Sequence, residues 1–266
     1  PQGILFGKNT LSGAINVTTA APKVGEGLSG RIAGSFESDN GKYFEGHVST
    51  SLSDTLAVRL SGMKRSIDGY VKNTAPNANL SDMPTLDEQI FRIGVQWTPS
   101  EQTNVGLRYT SAEFIREGAM ATVSRFQPLP NAPATNLAMF ATMAATFPNF
   151  APSEDDAYRD AISVGGTESL NGGNGPERLE GTDTTHGEFS LNIDHEFANG
   201  LSLNLVTGHS EYEYSDGIDA DFLPVQFIGR SDDSDFEAFF QEARLSSDEA
   251  ARLSWVLGAN YIETTQ

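Results

Sequence analysis

From Leu28 onward, hydrophobic and polar residues alternate with a period of two along most of the chain. Between residues 91 and 97, for example, Phe, Ile, Val and Trp alternate with Arg, Gly and Gln. Successive side chains of a β-strand point to opposite faces, so this pattern predicts strands with one apolar and one polar face. It recurs often enough to predict roughly nine strands. His195 and Gln241 are two polar residues that fall on the apolar face.

After the first predicted hairpin, the connections fall into two length classes that alternate along the chain. The short turns comprise residues 53–55, 98–102, 198–200 and 247–252, and the long segments comprise residues 66–86, 116–185 and 215–235. Outer-membrane barrels have short turns at the periplasmic end and long loops at the extracellular end. The sequence therefore favours an all-β fold, a transmembrane antiparallel β-barrel, over a soluble sandwich.

Aromatic and polar residues support the same interpretation. Trp97, Phe197 and Trp255 lie beside short turns, where a barrel has an aromatic girdle at the periplasmic interface. The polar faces carry Arg, Glu, Asp, Asn and Ser, which suit a wet lumen better than a packed core.

The composition narrows the classes of function. Acidic residues number 36 and basic residues 17, giving a formal net charge of −19, which argues against a nucleic-acid partner. The chain has no cysteine, so disulfides and thiolate metal sites are excluded. Because the chain begins with Pro1, lacks a basic and apolar leader and ends inside a predicted strand, we expect an internal part of a longer protein.

The stretch Gly3–Asn9 has glycines and a lysine that suggest a phosphate-binding loop. That motif needs four residues between its glycines and a hydroxyl residue after the lysine. Here one spacer is missing and Asn9 follows Lys8, while the next segment, 14–19, is rich in β-branched residues and predicts a strand. A nucleotide site is therefore not expected.

The same opening segment instead resembles the end of the plug domain of TonB-dependent outer-membrane receptors. In that family the plug ends with a motif close to G-P-Q-G-x-L-F-G-K-N-x-x-x-G-A-I-N-V-x-T, which residues 1–18 match almost position by position. The later run 240–246, FQEARLS, also resembles the family's barrel strands. The motif residues that the resemblance identifies as structural are Gly3, Phe6, Gly7, Lys8, Asn9, Gly13, Ala14 and Asn16.

The resemblance implies a domain division and a function. Residues 1–24 would be the C-terminal end of the plug, and residues 25–266 the first part of a barrel of about 22 strands. It implies energised uptake of a scarce ligand across the outer membrane of a Gram-negative bacterium, most commonly a ferric siderophore. Cobalamin, haem and carbohydrates are other ligands of the family. The implied partners are outer-membrane lipid and, through a region before Pro1, the TonB–ExbB–ExbD energising complex.

The long segment 116–185 is the candidate ligand-binding loop. A loop of this length in a compact protein is functional or disordered in most cases. The apolar run 137–145 suggests a short helix. Aromatic side chains here suit either a gate that closes over a ligand or packing of the loop onto its neighbours. The candidate residues are Phe126, Phe140, Phe147, Phe150 and Tyr158.

Other clusters favour ordinary roles. The acidic stretches 215–222 and 231–236 do not match an EF-hand loop and predict solvated acidic loops. The four histidines are scattered over separate strands. No nucleophile or acid–base constellation emerges, so we expect no catalytic residue, no cofactor and no bound metal. A passive porin-like channel or an adhesion barrel is the alternative function, and a soluble all-β enzyme is a third.

Overall fold

The computed structural model describes residues 18–72, 82–118, 131, 133–146, 181–219, 229–248 and 252–266. These residues form a nine-stranded antiparallel sheet, a two-stranded sheet and one helix. The strands are β1 (Ser29–Phe36), β2 (Lys42–Ser51), β3 (Leu56–Ile67), β4 (Val71–Lys72), β5 (Asp82–Met83), β6 (Thr85–Ser100), β7 (Thr103–Glu117), β8 (Gly181–Glu196), β9 (Ser202–Asp219), β10 (Gly229–Ser246) and β11 (Val256–Thr265). The helix is α1 (Ala134–Thr146).

The large sheet is a meander in which each long strand pairs with the next along the chain. Its order is β1-β2-β3-β6-β7-β8-β9-β10-β11, and the small β4–β5 hairpin lies between β3 and β6. Within the described residues the sheet does not close, because β1 and β11 each have one strand neighbour. The prediction of about nine antiparallel strands of a barrel is confirmed as an open segment of barrel wall.

The register gives the sheet one apolar and one polar face. Ile93 of β6 pairs with Leu60 on one side and Tyr109 on the other, and this row belongs to the face that we call the outer face. The next residue, Arg92, pairs with Ser61 and Thr110 on the opposite, inner face. A shift of one residue in the strand register would exchange the side chains of the two faces. The observed register therefore agrees with the hydrophobic pattern of the sequence.

The two misfit residues lie on the outer face, as their place in the pattern predicts. His195 pairs in register with Thr103, whose hydroxyl oxygen is 2.9 Å from the imidazole Nδ1. The His195 ring also packs edge-to-face against Phe197, with ring centroids 4.6 Å apart. The imidazole therefore has a hydrogen-bond partner in Thr103 and a ring contact with Phe197, next to the short turn at 197–201. Gln241 lies between Thr207 and Tyr261.

The short connections lie at one end of the sheet and the long connections at the other, as predicted. The connections at one end comprise residues 52–55, 101–102, 197–201 and 247–255, and those at the other comprise residues 37–41, 68–84, 118–180 and 220–228. Trp97, Phe197 and Trp255 lie at the first, short-turn end. The 37–41 turn is the short exception at the long-loop end, and Asp39 and Asn40 adopt positive φ values there, typical of a tight hairpin turn.

The predicted long loop at 215–235 is wrong in its extent, because β9 continues to Asp219 and β10 begins at Gly229. Asp216 and Asp232 are directly paired residues of these strands and not members of a loop. Backbone hydrogen bonds can extend a strand without a run of apolar side chains. The hydrophobic periodicity therefore ends before the strand does.

The predicted short helix in the 116–185 segment is confirmed, as α1 covers the apolar run. No helix in the described parts of the chain has the length and hydrophobicity needed to cross a membrane. Buried apolar side chains among the described residues are few and include Ala57, Met83 and Ala112, as expected for a single layer of sheet. Met83 is fully buried, and a Cβ added to Gly118 would lie 2.8 Å from its Cγ and Sδ.

Candidate functional site on the inner wall

Most of the sequence-predicted site residues lie outside the described residues. This holds for Phe126, Phe147, Phe150 and Tyr158, and for the plug-motif residues Gly3, Phe6, Gly7, Lys8, Asn9, Gly13, Ala14 and Asn16. Phe140 lies within α1. Their roles remain predictions, and the described chemistry is that of the sheet's inner face.

The N-terminal segment, residues 18–22, lies against the inner face of β6 and β7. The Arg108 Nη1 donates a hydrogen bond of 3.1 Å to the Thr19 hydroxyl oxygen. A Cβ added to Gly94 would be 3.3 Å from Pro22 Cδ, so a residue without a side chain accommodates the crossing chain. The segment then reaches β2, where the Gly25 backbone N–H donates to the Ser51 hydroxyl at 2.7 Å. The chain thus enters the wall from its inner side.

Arg108 also ties two strands together. Its Nη2 donates to Glu188 Oε1 of β8 at 2.7 Å, and both side chains are about one-third exposed. In the period-two pattern both residues fall among the charges of the polar face. The structure makes them a linked pair that holds the N-terminal segment, a role for which charge and period give no signal.

Beside this segment is a cavity of about 380 Å³ whose lining is rich in cations. Arg31, Arg59 and Arg92 line it together with His47, and Glu45 is the one carboxylate in the lining. The Tyr43 hydroxyl donates to Glu45 at 2.7 Å. The sequence contains the signal for this cluster, since all three arginines occupy inner-face positions of the period-two pattern. Strand register is needed to bring them together.

A second charged group lies at the long-loop end. Asp216 is 2 % exposed, and Arg230 Nη2 donates to its Oδ2 at 2.8 Å. Burial raises the pKa of the neighbouring Tyr214, and the Asp216 carboxylate raises it further. Tyr214 and Asp216 lie past the first eleven or so residues of β9, about the number that a tilted strand needs to cross a bilayer, and Arg230 pairs with Ile218 at the same end of β10. The Asp216–Arg230 pair links β9 and β10 at the long-loop end of the sheet.

The described residues give the acidic and histidine clusters no metal-binding geometry. No group of three or more His, Asp or Glu side chains converges within this part of the chain. His209 lies between Glu211 and Glu237 on the outer face, with imidazole nitrogens 4.0 and 3.9 Å from the carboxylate oxygens. These contacts place it in an ordinary surface charge network.

Comparison with solved structures shows which proteins share this fold. The fold is similar to that of the ferric yersiniabactin uptake receptor FyuA from Yersinia pestis, with TM-score 0.68, 17 % identity, and coverage of 99 % of this chain and 34 % of the receptor chain. It is also similar to the closed form of the ferric-catecholate import receptor Fiu from E. coli, with TM-score 0.62, 13 % identity and coverage of 98 % and 35 %.

The siderophore receptor PiuA from Acinetobacter baumannii gives a TM-score of 0.61 at 11 % identity, with coverage of 98 % of this chain and 33 % of the receptor chain. The chain thus spans about a third of the length of these structures. No model of a known protein family matches the sequence, and no curated protein matches it.

These neighbours are uptake receptors and not enzymes. They share a wall of tilted antiparallel strands, the fold that spans the outer membrane of Gram-negative bacteria. The resemblance read from the opening motif and the resemblance read from the folded strands agree. The chain has the fold of a contiguous segment of a TonB-dependent receptor β-barrel.

Proposed function

We propose that the chain is part of an outer-membrane receptor that takes up a scarce ligand, a ferric siderophore, with energy supplied through the TonB–ExbB–ExbD complex. The observation that carries this proposal is the crossing of residues 18–22 over the inner face, where Arg108 holds Thr19. A chain that enters the wall from inside comes from an element within the lumen. A passive porin-like channel or an adhesion barrel has no need of such an element.

The same crossing supports the proposed domain division. Residues 1–24 end the plug, and residues 25–266 begin the barrel. The backbone contact between Ser51 N–H and the Glu26 carbonyl, at 3.1 Å, lies where the chain joins the wall. The plug would restrict the lumen, so that ligand passage requires work on the plug.

Two observations support a ferric siderophore as the ligand: the ligands of the compared receptors, and the end of the sheet at which the long connections lie. Two of the compared proteins take up ferric complexes, and the third is a siderophore receptor. In this chain the longest connection, 118–180, leaves the end of the sheet opposite the short turns. That end faces outward in a receptor, so the loop carrying Phe126, Phe140, Phe147, Phe150 and Tyr158 would meet the ligand there. No catalytic activity is proposed.

Growth under iron limitation tests the proposal. A strain that lacks the full-length gene should lose growth and iron uptake on one ferric siderophore. The intact gene should restore both, and a gene without the TonB-contacting segment should restore neither. Restoration by the latter gene would identify a passive channel.

Unchanged growth and uptake on every siderophore would contradict iron transport. The ligand would then be sought among the family's other cargoes, cobalamin, haem and carbohydrates, with the same pair of genes as the test. The TonB requirement is measured separately from the ligand in this design, so each part of the proposal can fail alone.

A further inference from the structure

One part of the inner wall is rich in positive charge, in a protein whose formal net charge is −19. Arg31 of β1, Arg59 of β3 and Arg92 of β6 line one cavity. Negative charge dominates the chain as a whole, so a concentration of guanidinium groups on one surface needs a local reason.

Strand register brings the three arginines together. Arg31 pairs with His47, which pairs with Ser61, which pairs with Arg92, so these four residues form one row across β1, β2, β3 and β6. Adjacent strands lie about 4.8 Å apart, which separates the backbones of Arg31 and Arg92 by about 14 Å. Arg59 lies two residues from Ser61 and is a diagonal neighbour of Arg92. Long side chains from these positions can converge on one ligand.

Among the described residues these arginines have no ion-pair partner, unlike other arginines of the wall, although Glu45 also lines the cavity. Arg65 contacts Glu37 and Glu88 at 3.7 and 3.6 Å, and Arg108 is paired with Glu188. Within the described residues, Arg31 and Arg59 make no ion pair. Arg92 donates from Nε to the Thr110 hydroxyl at 3.0 Å and has no carboxylate partner in the described part of the chain.

Two of the three side chains are partly shielded from solvent. Arg59 and Arg92 are half-buried, and Arg31 is exposed. The 380 Å³ cavity between them falls in the size range of small-molecule sites. A guanidinium presents a planar fork that fits a carboxylate with two parallel hydrogen bonds.

We propose that Arg31, Arg59 and Arg92 form a binding site on the lumen wall for carboxylate groups of a small polycarboxylate solute. The spread of the row over several strands suits a ligand with more than one carboxylate. The inference rests on the proposed function, because the site would be met by a solute that passes between the wall and the lumen element. His47, in the same row, supplies a further polar contact.

The test uses the full-length receptor, purified and refolded in lipid, with citrate as the probe. Calorimetric titration is performed at about 0.15 M salt, where weak surface attraction is screened. Citrate should bind the wild-type receptor, and xylitol, an uncharged polyol of similar size, should not. The double variant R59Q/R92Q should bind citrate at least about tenfold more weakly, since each lost bidentate contact is worth on that order.

Two further variants complete the test. R65Q changes an inner-face arginine that already has carboxylate partners, and its citrate affinity should equal that of the wild type. R59K/R92K keeps both charges without the planar fork and should show an intermediate loss. The lysine pair also preserves charge balance in the wall, so it remains informative if R59Q/R92Q does not refold.

Three results would overturn the proposal. These are the absence of citrate binding to the wild type, an equal loss in R65Q, or unchanged binding in both double variants. Lowered thermal stability of R59Q/R92Q without any citrate binding would show that the arginines instead pair with carboxylates of the receptor itself. The growth assay fails or succeeds independently of these affinities, so failure of the site and failure of siderophore uptake are distinguishable.

Discussion

Arg108 of β7 lies 2.7 Å from Glu188 of β8, while its other terminal nitrogen lies 3.1 Å from the Thr19 hydroxyl. One side chain therefore joins two wall strands and the segment that crosses the lumen face. The partners are separated by 80 and 89 positions in the sequence. No local pattern could have indicated this junction.

The strength of the Arg108–Glu188 contact can be measured by replacing the two residues singly and together. In a double-mutant cycle with Arg108→Ala and Glu188→Gln, we expect a coupling of about 0.2–1 kcal/mol, because both side chains are partly exposed and solvent screens them. Urea unfolding of the full-length receptor in lipid gives the four free energies. The coupling should fall as salt is raised. Additive single effects would show that the contact contributes nothing.

Gly118 should not tolerate a side chain. It has φ +85°, and an added Cβ would lie 2.8 Å from the buried Met83 side chain. We expect Gly118→Ala to lower the free energy of unfolding by about 1–3 kcal/mol through backbone strain and overpacking.

Gly62→Ala is the matched control for that substitution. The nearest atom to its added Cβ is the Ile90 carbonyl oxygen at 3.5 Å, an ordinary contact. Its stability should be unchanged or should rise by up to about 1 kcal/mol, since alanine loses less backbone entropy in a strand than glycine. Equal effects of the two substitutions would contradict the packing of Gly118 on Met83.

Two isoleucines of β6 test which face meets lipid. Ile93 is on the outer face and Ile90 on the inner face. Ile93→Arg should cost about 2–4 kcal/mol of barrel stability, as expected for a charge near the middle of the bilayer. Ile90→Arg should cost much less, because a charged side chain at that position faces the polar lumen. Reversal of this order in lipid unfolding measurements would mean that the two faces are assigned the wrong way round.

Tyr214 should titrate late. Burial, with help from the Asp216 carboxylate, raises the pKa of its phenol above the ordinary value. Ultraviolet difference titration of the wild type against Tyr214→Phe isolates this phenol, and its midpoint should lie above pH about 10. Asp216→Asn should shift the midpoint downward without restoring the ordinary value, because burial remains.

The sign of the associated stability change follows from the raised pKa. The folded state holds the phenolic proton more tightly than the unfolded state. The contribution is therefore fully present below pH about 10 and is lost as the pH rises through the folded-state pKa. Tyr214→Phe should remove this part of the loss of stability at alkaline pH. An unchanged dependence of the unfolding free energy on alkaline pH would contradict the assignment.

Much of the wall was predictable because a transmembrane strand obeys two constraints at once. Its lipid face must be apolar and its lumen face can be polar, so residues 91–97 display the strand in the sequence itself. The alternation of short and long connections then predicted which end of the sheet has the short turns and which has the long loops. The positions of His195 and Gln241 were also correct, because the period fixes a face even for a residue of the wrong polarity.

The remaining features depend on relationships that a period does not contain. The strand extension near Asp216 was predicted as a loop, because beyond the membrane both faces are wet and the hydrophobic signal disappears. The clustering of Arg59 with Arg92 requires the register of β3 against β6 across a long connection. The aromatic candidates in the 116–185 segment stay predictions.

The crossing segment sets an order of assembly. Most strand pairings in the large sheet join strands across short connections, which close small loops at low entropic cost. The pairing of β7 with β8 is the long-range exception, because it spans residues 118–180. The contact of Thr19 with Arg108 is also long-range, spanning 89 positions, and the same arginine contacts Glu188 of β8. We therefore expect the hairpins with short connections to form first, and residues 18–22 to dock on the wall only after β7 and β8 have paired.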